Sequence, residues 1–447
     1  MESRKARLTE GPVGRHLVNM TVPMLFGIAT MMGQGLIDAW FLGQVGDRAL
    51  AAFSFGFPML MIITSVAIGL GAGTSSVVAR AIGAGDHRRA RRLATDSLLL
   101  TFLVTAAMST IGVLTIEPLF RLLGAPADMI PMIKSFMIIL YSGVPFLVVG
   151  IVGTSSMRAT GDTRLPGKLM IAGALLNVLL DPIFIFGLGP IPAMGLDGAA
   201  TAALLARGAM FVGTLYFLVH RLDMVSFNKP DPAELRKSWA EILHVGLPAA
   251  GTNAIIPVAV VVITAMIARY GPDAVAGFGV ASRIESMVLV IYYALSSVIG
   301  PLVGQNLSAG KAARIRQSLR LCAWFCLASG LVIAAILASL SGFLPGLFSQ
   351  NPEVIRVTRL FLLIAPVSYG AYGIVMVMNA AFNGLGKPMP AVYISVTRML
   401  VLYVPLALLG REWFGIVGIF GAYAIANILS GLLGYVWAWR TACNLEN

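Results

Sequence analysis

Charge is what this sequence has least of. Only 12% of its 447 residues are Asp, Glu, Lys or Arg, about half the fraction usual in a soluble domain, and this excludes an ordinary water-soluble fold. Cysteine is also scarce, with three residues, and histidine with four, so neither a disulfide framework nor a His/Cys metal cage is expected. Cys322 and Cys326 lie one helical turn apart in an apolar run, where thiols act as small apolar filling. There is no HExxH metal motif, nucleophile elbow or selectivity-filter sequence.

What remains is apolar. Hydrophobic residues make up 58% of the chain and the mean hydropathy is +0.86. Apolar runs of about 20 residues recur along the whole length, separated by short polar or Gly/Pro breaks, which is the pattern of a helical membrane bundle. Twelve spans are expected: 16–42, 50–83, 93–116, 129–157, 165–188, 195–219, 239–269, 274–306, 315–341, 354–382, 388–410 and 415–438.

Lys and Arg outnumber Asp and Glu by 32 to 20, which on composition alone suggests a nucleic-acid partner. Their placement argues otherwise. Twenty-one of the 32 fall at the two termini or in loops on one side, seven on the other and four inside spans (Arg80, Arg207, Arg283, Arg398). The positive-inside rule then puts both termini in the cytoplasm, as an even number of spans requires. The N-terminus is too polar for a signal-peptide core, and the first span is read as uncleaved.

The chain repeats itself at one offset of 225 residues. Pro23 matches Pro248, GDRALAAF from Gly46 matches GPDAVAGF from Gly271, and Gly85 and Gly161 match Gly310 and Gly386. The fold class is therefore an all-α polytopic membrane protein with twelve transmembrane helices. They form two six-helix lobes related by pseudo-two-fold symmetry, a parallel internal repeat: residues 1–220, a cytoplasmic linker at 221–238, and residues 239–447. Such repeats are a transporter architecture.

Two intramembrane acids break the repeat. Asp38 and Asp181 correspond to Ile263 and Leu406, so both acids belong to the first half alone. An acid at bilayer depth costs at least about 2.5 kcal/mol and needs a partner, a proton or a function. Met20, Met24, Gly27, Met31 and Gln34 share the helical face of Asp38, and a Met-lined face suits loose binding of varied apolar ligands. Asn177 lies one turn before Asp181, with Met170 and Ala174 below. Pro182 leaves the Val178 carbonyl without its helical donor, and Pro23 gives the first span a place to bend. Met24, Met31, Gln34 and Met170 are the candidate cargo-facing residues, and Pro23 and Pro182 the candidate bending points.

The N-terminal helix ending in Asp38, the AIGAGD and RATGD turns, and LLNVLLDPIFIFGLG followed by GLDGAATAALLAR resemble the multidrug and toxic compound extrusion (MATE) family. The asymmetric acids resemble its DinF-like branch. The resemblance covers nearly the whole chain. It implies a two-lobed, non-enzymatic exporter of lipophilic, often cationic compounds, working by alternating access in exchange for H+ or Na+ and needing no cofactor. It also implies an ion-coupling set of Asp38, Asn177, Asp181 and Thr201, the last from GAATAA, and supports Pro23 as a bending point. A monomer in the prokaryotic inner membrane is expected.

The sequence departs from the family's other large branch, which carries an acid in the seventh span; here that span has none. Glu285 is an extra acid, read as a salt-bridge partner of Arg398 in preference to a second proton or cargo site. Arg207 is placed to neutralise one first-half aspartate. The expected mechanism starts from two acids in one low-dielectric pocket, which cannot readily both ionise and so bind a proton as one coupled unit. The alternatives are Na+ held by the oxygen atoms of the same four residues, a lipid-linked sugar flippase, for which the cavity has too few basic residues, and a membrane enzyme with paired carboxyls.

Overall fold

A bilayer offers the backbone no hydrogen-bond partners, so a chain this apolar must satisfy its peptide groups inside helices. The computed structural model describes residues 6–227 and 231–445, and no strand occurs among them. Arg4 and Lys5 of the N-terminal basic cluster, and residues 228–230 of the linker, lie outside the described residues.

Among the described residues, eleven helices are long and apolar enough to cross a membrane, and a bent pair supplies a twelfth span. They are α1 (Val13–Val45), α2 (Asp47–Gly83), α3 (His87–Leu122), α4 (Ile130–Ala159), α5 (Arg164–Phe186) and α6 (Leu196–Arg221). Next come α7 (Pro232–Tyr270), α8 (Pro272–Val288 with Val290–Ser308, bent by 44°), α9 (Ala312–Leu340), α10 (Pro352–Gly384), α11 (Met389–Phe414) and α12 (Ile416–Cys443). Apolar side chains such as Val18, Phe26, Trp324, Leu331 and Trp413 remain exposed, the surface that lipid covers in a membrane protein.

Prolines leave fewer breaks than their number suggests. The helices α1 and α5 continue through Pro23 and Pro182 without a break in the helix. A proline inside a helix removes one backbone bond, and neighbouring packing can hold the helix together across the gap. Breaks occur instead at Gly143 in α4 and Leu289 in α8. Wide π-turns cover Phe217–Arg221 and Thr397–Tyr403.

The internal repeat is written in the backbone. Gly46 and Gly271, Gly85 and Gly310, and Gly161 and Gly386 all have positive φ, at 139° and 104°, 77° and 68°, and 87° and 71°. Each pair sits at the same turn of its half, where a side chain would be strained.

The chain divides into two compact units. Unit 1 comprises Met1–Thr21 and Gly251–Asn447, and unit 2 comprises Val22–Ala250. The compact units therefore differ from the repeat halves in where the first helix of each half is divided. One division falls two residues before Pro23 and the other two residues after Pro248, the two prolines that the repeat equates.

Within unit 2, small residues let backbones approach. A Cβ on Gly73 would collide with the Ile242 carbonyl, and one on Gly198 with the Phe184 carbonyl; such stripes replace the hydrophobic effect as the means of helix association in lipid. The linker is fastened to α3: Arg91 donates to the Val225 carbonyl at 2.6 Å, Ser226 N–H to Thr95 Oγ1 at 2.8 Å, and Trp239 Nε1 to the Asp96 carbonyl at 3.1 Å. Within unit 1, Gly330 packs on Gly370 and Gly384 on Gly300. The N-terminal segment is tied to the turn between α8 and α9. Asn306 and Arg314 donate to the Leu8 carbonyl at 3.1 and 2.9 Å, Lys311 to Thr9 at 2.8 Å, and Arg314 also to Gly11 at 2.6 Å.

Candidate functional site

The two aspartates singled out by the sequence meet in unit 2. Both α1 and α5 carry an amide one helical turn before an acid, Gln34 before Asp38 and Asn177 before Asp181, and residues four apart share a helix face. Gln34 Nε2 donates to Asn177 Oδ1 across the two helices and reaches Asp38 Oδ2 at 3.4 Å. Asn177 Nδ2 donates to Asp181 Oδ1 at 2.9 Å. The two carboxyls are close enough to feel each other's charge, so four polar side chains are gathered between α1 and α5.

Close backbone contact brings the two helices together. A Cβ on Gly167 of α5 would sit 2.6 Å from the Pro23 carbonyl oxygen, and one on Gly27 of α1 would meet Gly167 Cα and Met170 Sδ at 3.2 Å. Asn177 and Asp181 are 2% and 1% exposed, whereas Gln34 and Asp38 are half-buried. The pair is thus reached from the side of α1.

Asp38 Oδ1 and Asp181 Oδ2 are buried and receive no hydrogen bond, and ionised carboxylates, which only accept, cannot bond to each other without a proton or cation between them. An unmet acceptor of this kind is costly in a low-dielectric interior.

Gln34, one of the candidate cargo-facing residues, is half-buried and is the amide that bridges the two helices. Met24 is 1% exposed and packs inside the unit, because Gly27 draws α5 against that part of α1; Met31 and Met170 are half-buried. Thr201 donates its hydroxyl to the Asp197 carbonyl of its own helix at 2.8 Å and makes no hydrogen bond to Asp38, Asn177 or Asp181. A threonine in a helix readily bonds back to the preceding turn. Arg207 contributes a favourable charge at Asp38 but forms no ion pair with either aspartate among the described residues. Cys322 and Cys326 are buried free thiols, and no cluster of three or more His, Cys, Asp or Glu side chains fit for a metal occurs among the described residues.

The second acid lies in unit 1, and the salt bridge expected between Glu285 and Arg398 does not form. Glu285 accepts instead from the Tyr423 hydroxyl at 2.8 Å. Arg398, 3% exposed, donates through Nη1 to Asn427 Oδ1 at 3.1 Å and stacks 4.3 Å from the Tyr372 ring centroid. Asn427 is held in turn by Ser368 at 3.0 Å. The wide π-turn at Thr397–Tyr403 carries Arg398, and turns of this kind are frequent at functional sites. Sequence reasoning missed these tyrosines. Their signal was distribution, since eight of the eleven tyrosines follow residue 290.

Comparison with known proteins agrees with this architecture. The family described as MatE matches residues 23–183 and again 248–409, and the two matches begin 225 residues apart, the offset of the repeat. The chain is 40% identical over 433 residues to a protein of Shewanella oneidensis named FAD transporter, covering 97% of this chain and 96% of the relative. It is 25% identical to the probable multidrug resistance protein YoeA of Bacillus subtilis, over 95% and 93% of the two chains. Among solved structures, the Vibrio cholerae MATE transporter VcmN in the bent form superposes with a TM-score of 0.92 at 32% identity, covering 100% of both chains. A twice-matched family pattern and full-length likeness in sequence and fold lead to one conclusion: this chain is a multi-pass membrane transporter, not an enzyme, and belongs to the MATE family.

Proposed function

We propose that the chain is a secondary active exporter driven by protons entering through the Asp38/Asp181 pair. The observation that carries this reading is the pair of buried, donorless oxygens, Asp38 Oδ1 and Asp181 Oδ2, in two neighbouring acids that one proton would join. Asn177 and Gln34 orient the carboxyls. Binding or losing that proton changes the charge at the junction of α1 and α5 by one unit, and Pro23, whose carbonyl lies against Gly167, is where α1 bends in response. A bend there exchanges outward- and inward-facing forms. The lobes are those of the repeat, 1–220 and 239–447 joined by 221–238, with both termini cytoplasmic in a prokaryotic inner membrane. The acid placement favours the DinF-like branch.

The cargo is an amphipathic aromatic compound. Lipophilic cations fit the half-buried Met31 beside the acids and the multidrug names of the relatives at about 25% identity. A second reading takes flavin adenine dinucleotide as a physiological cargo, favoured by the 40% full-length identity to a FAD transporter. Sodium is the competing coupling ion, since the site offers only oxygen ligands to a cation.

The test is efflux from proteoliposomes loaded with FAD or with a fluorescent lipophilic cation, under an imposed pH gradient or an imposed Na+ gradient. Efflux driven by the pH gradient alone and stopped by Asp38→Asn or Asp181→Asn supports the reading. Efflux driven only by Na+ replaces the proton with a cation at the same site, and pumping by both variants refutes the role of the pair.

A further inference from the structure

The cluster around Glu285 and Arg398 is not part of the coupling site and is built from more polar groups than packing requires. Arg398 is 3% exposed, lacks a carboxylate partner and leaves its Nε without an acceptor. An unpaired guanidinium in such a place costs several kcal/mol unless something else satisfies it. Tyr369, wholly buried, turns its hydroxyl toward Glu285 without completing a well-formed hydrogen bond. Glu285 itself is half-buried, so the cluster opens at that residue. Tyr293 and Tyr403 stand close enough to feel its charge, and Tyr403 and Tyr423 pack ring to ring at 5.3 Å.

The arrangement selects for chemistry. A lone anion would meet Arg398 but be repelled by Glu285, and a lone cation would meet the reverse. A neutral edge carrying an N–H beside a C=O satisfies both, the carboxylate accepting the N–H and the guanidinium donating to the carbonyl. Tyr369, Tyr372, Tyr403 and Tyr423 are buried, and the half-buried Tyr293 is the ring offered to a planar system bearing that edge. An imide edge on an aromatic heterocycle is such a group, and the flavin ring has one.

We infer that Glu285 and Arg398 of unit 1 form a recognition site for the imide edge of a planar heterocycle, the flavin ring of the cargo. The inference rests on the flavin reading above. Glu285 accepts the ring N–H, Arg398 Nε donates to the neighbouring carbonyl, and Asn427 and Tyr372 hold the guanidinium in plane.

The experiment is equilibrium binding of riboflavin and N3-methylriboflavin to the purified full-length protein, with FAD export measured in parallel. Wild type should bind riboflavin at least about tenfold more tightly than the N-methylated ring, because the methylated edge leaves a polar protein group unpaired. Glu285→Ala should bind the two alike. Arg398→Lys, which keeps the charge and loses the planar fork, should weaken riboflavin. Thermal midpoints identify a variant that fails to fold, and the two-ligand comparison in wild type does not depend on any variant. Equal binding of the two flavins by wild type, or persistent discrimination in Glu285→Ala, overturns the site even if FAD is exported. Export of lipophilic cations with neither binding nor export of any flavin overturns the flavin reading itself.

Discussion

Gln34 on α1 and Asn177 on α5 are bonded amide to amide, each one helical turn before an aspartate of the same helix. The bond sets the two helices in register, so that the carboxyls of Asp38 and Asp181 come near each other.

The acid pair should behave as one element. Asp38→Asn and Asp181→Asn are each expected to reduce pH-driven efflux at least about tenfold, and the double variant to be no worse than the more severe single one, because residues acting together are non-additive. In liposomes with matched internal and external pH, wild-type efflux should fall to the level of the variants. Efflux rates of the four proteins check both statements.

Removing the bridge should cost stability as well as transport. Gln34→Leu leaves Asn177 Oδ1 and Asp38 Oδ2 without this donor, at about 1–3 kcal/mol, and is expected to lower the thermal midpoint in detergent. Gln34→Asn, too short to span both partners, should lie nearer to the leucine variant than to wild type.

Helix α1 continues through Pro23, and the proposed mechanism bends it there during transport. Pro23→Ala restores a backbone donor and favours the straight helix, so cargo binding should persist while turnover drops several-fold. Unchanged turnover with a restored helical bond, seen as slower amide exchange at residue 23 than at its exposed neighbours, would remove Pro23 from the mechanism.

Helix approach at Gly167 admits no side chain larger than hydrogen. Gly167→Leu places carbon against the Pro23 carbonyl and should destabilise by about 1–3 kcal/mol through overpacking. Separating α1 from α5 also parts the acids, so Gly167→Leu is expected to lose pH-driven efflux although no acid has changed. Midpoint and efflux measured on one preparation test the coupling.

Arg314 bonds three carbonyls of the N-terminal segment, those of Leu8, Glu10 and Gly11. Arg314→Ala should release that segment, and amide exchange at Leu8, whose N–H is held by Gln305 at 3.1 Å, should accelerate by about tenfold or more, as for local opening. Exchange rates in the interior of α9 should not change.

Much of the architecture was legible because lipid imposes simple rules. Span number follows from the length of apolar runs, and the repeat from residues such as Gly85 and Gly310, which hold the same turn for the same steric reason. Asp38, Asn177 and Asp181 stood out since polar groups are rare at such depth. Thr201 could not be judged by type alone, because its hydroxyl chose its own helix. Glu285 and Arg398 were paired on opposite charge, whereas Tyr423, Asn427 and the face of Tyr372 lie nearer to them.

The sequence by itself determined that the chain crosses a membrane twelve times, is duplicated at an offset of 225 and keeps both intramembrane aspartates in one half. These are properties of local composition and of covalent order. Tertiary structure alone decided that Gln34 bridges to Asn177, that Asp38 meets Asp181, and that Arg398 lies over Tyr372 apart from Glu285. Each of these depends on how far one helix is rotated and shifted against another, which small residues such as Gly27 and Gly167 set by contact, and no periodicity within a single helix encodes it.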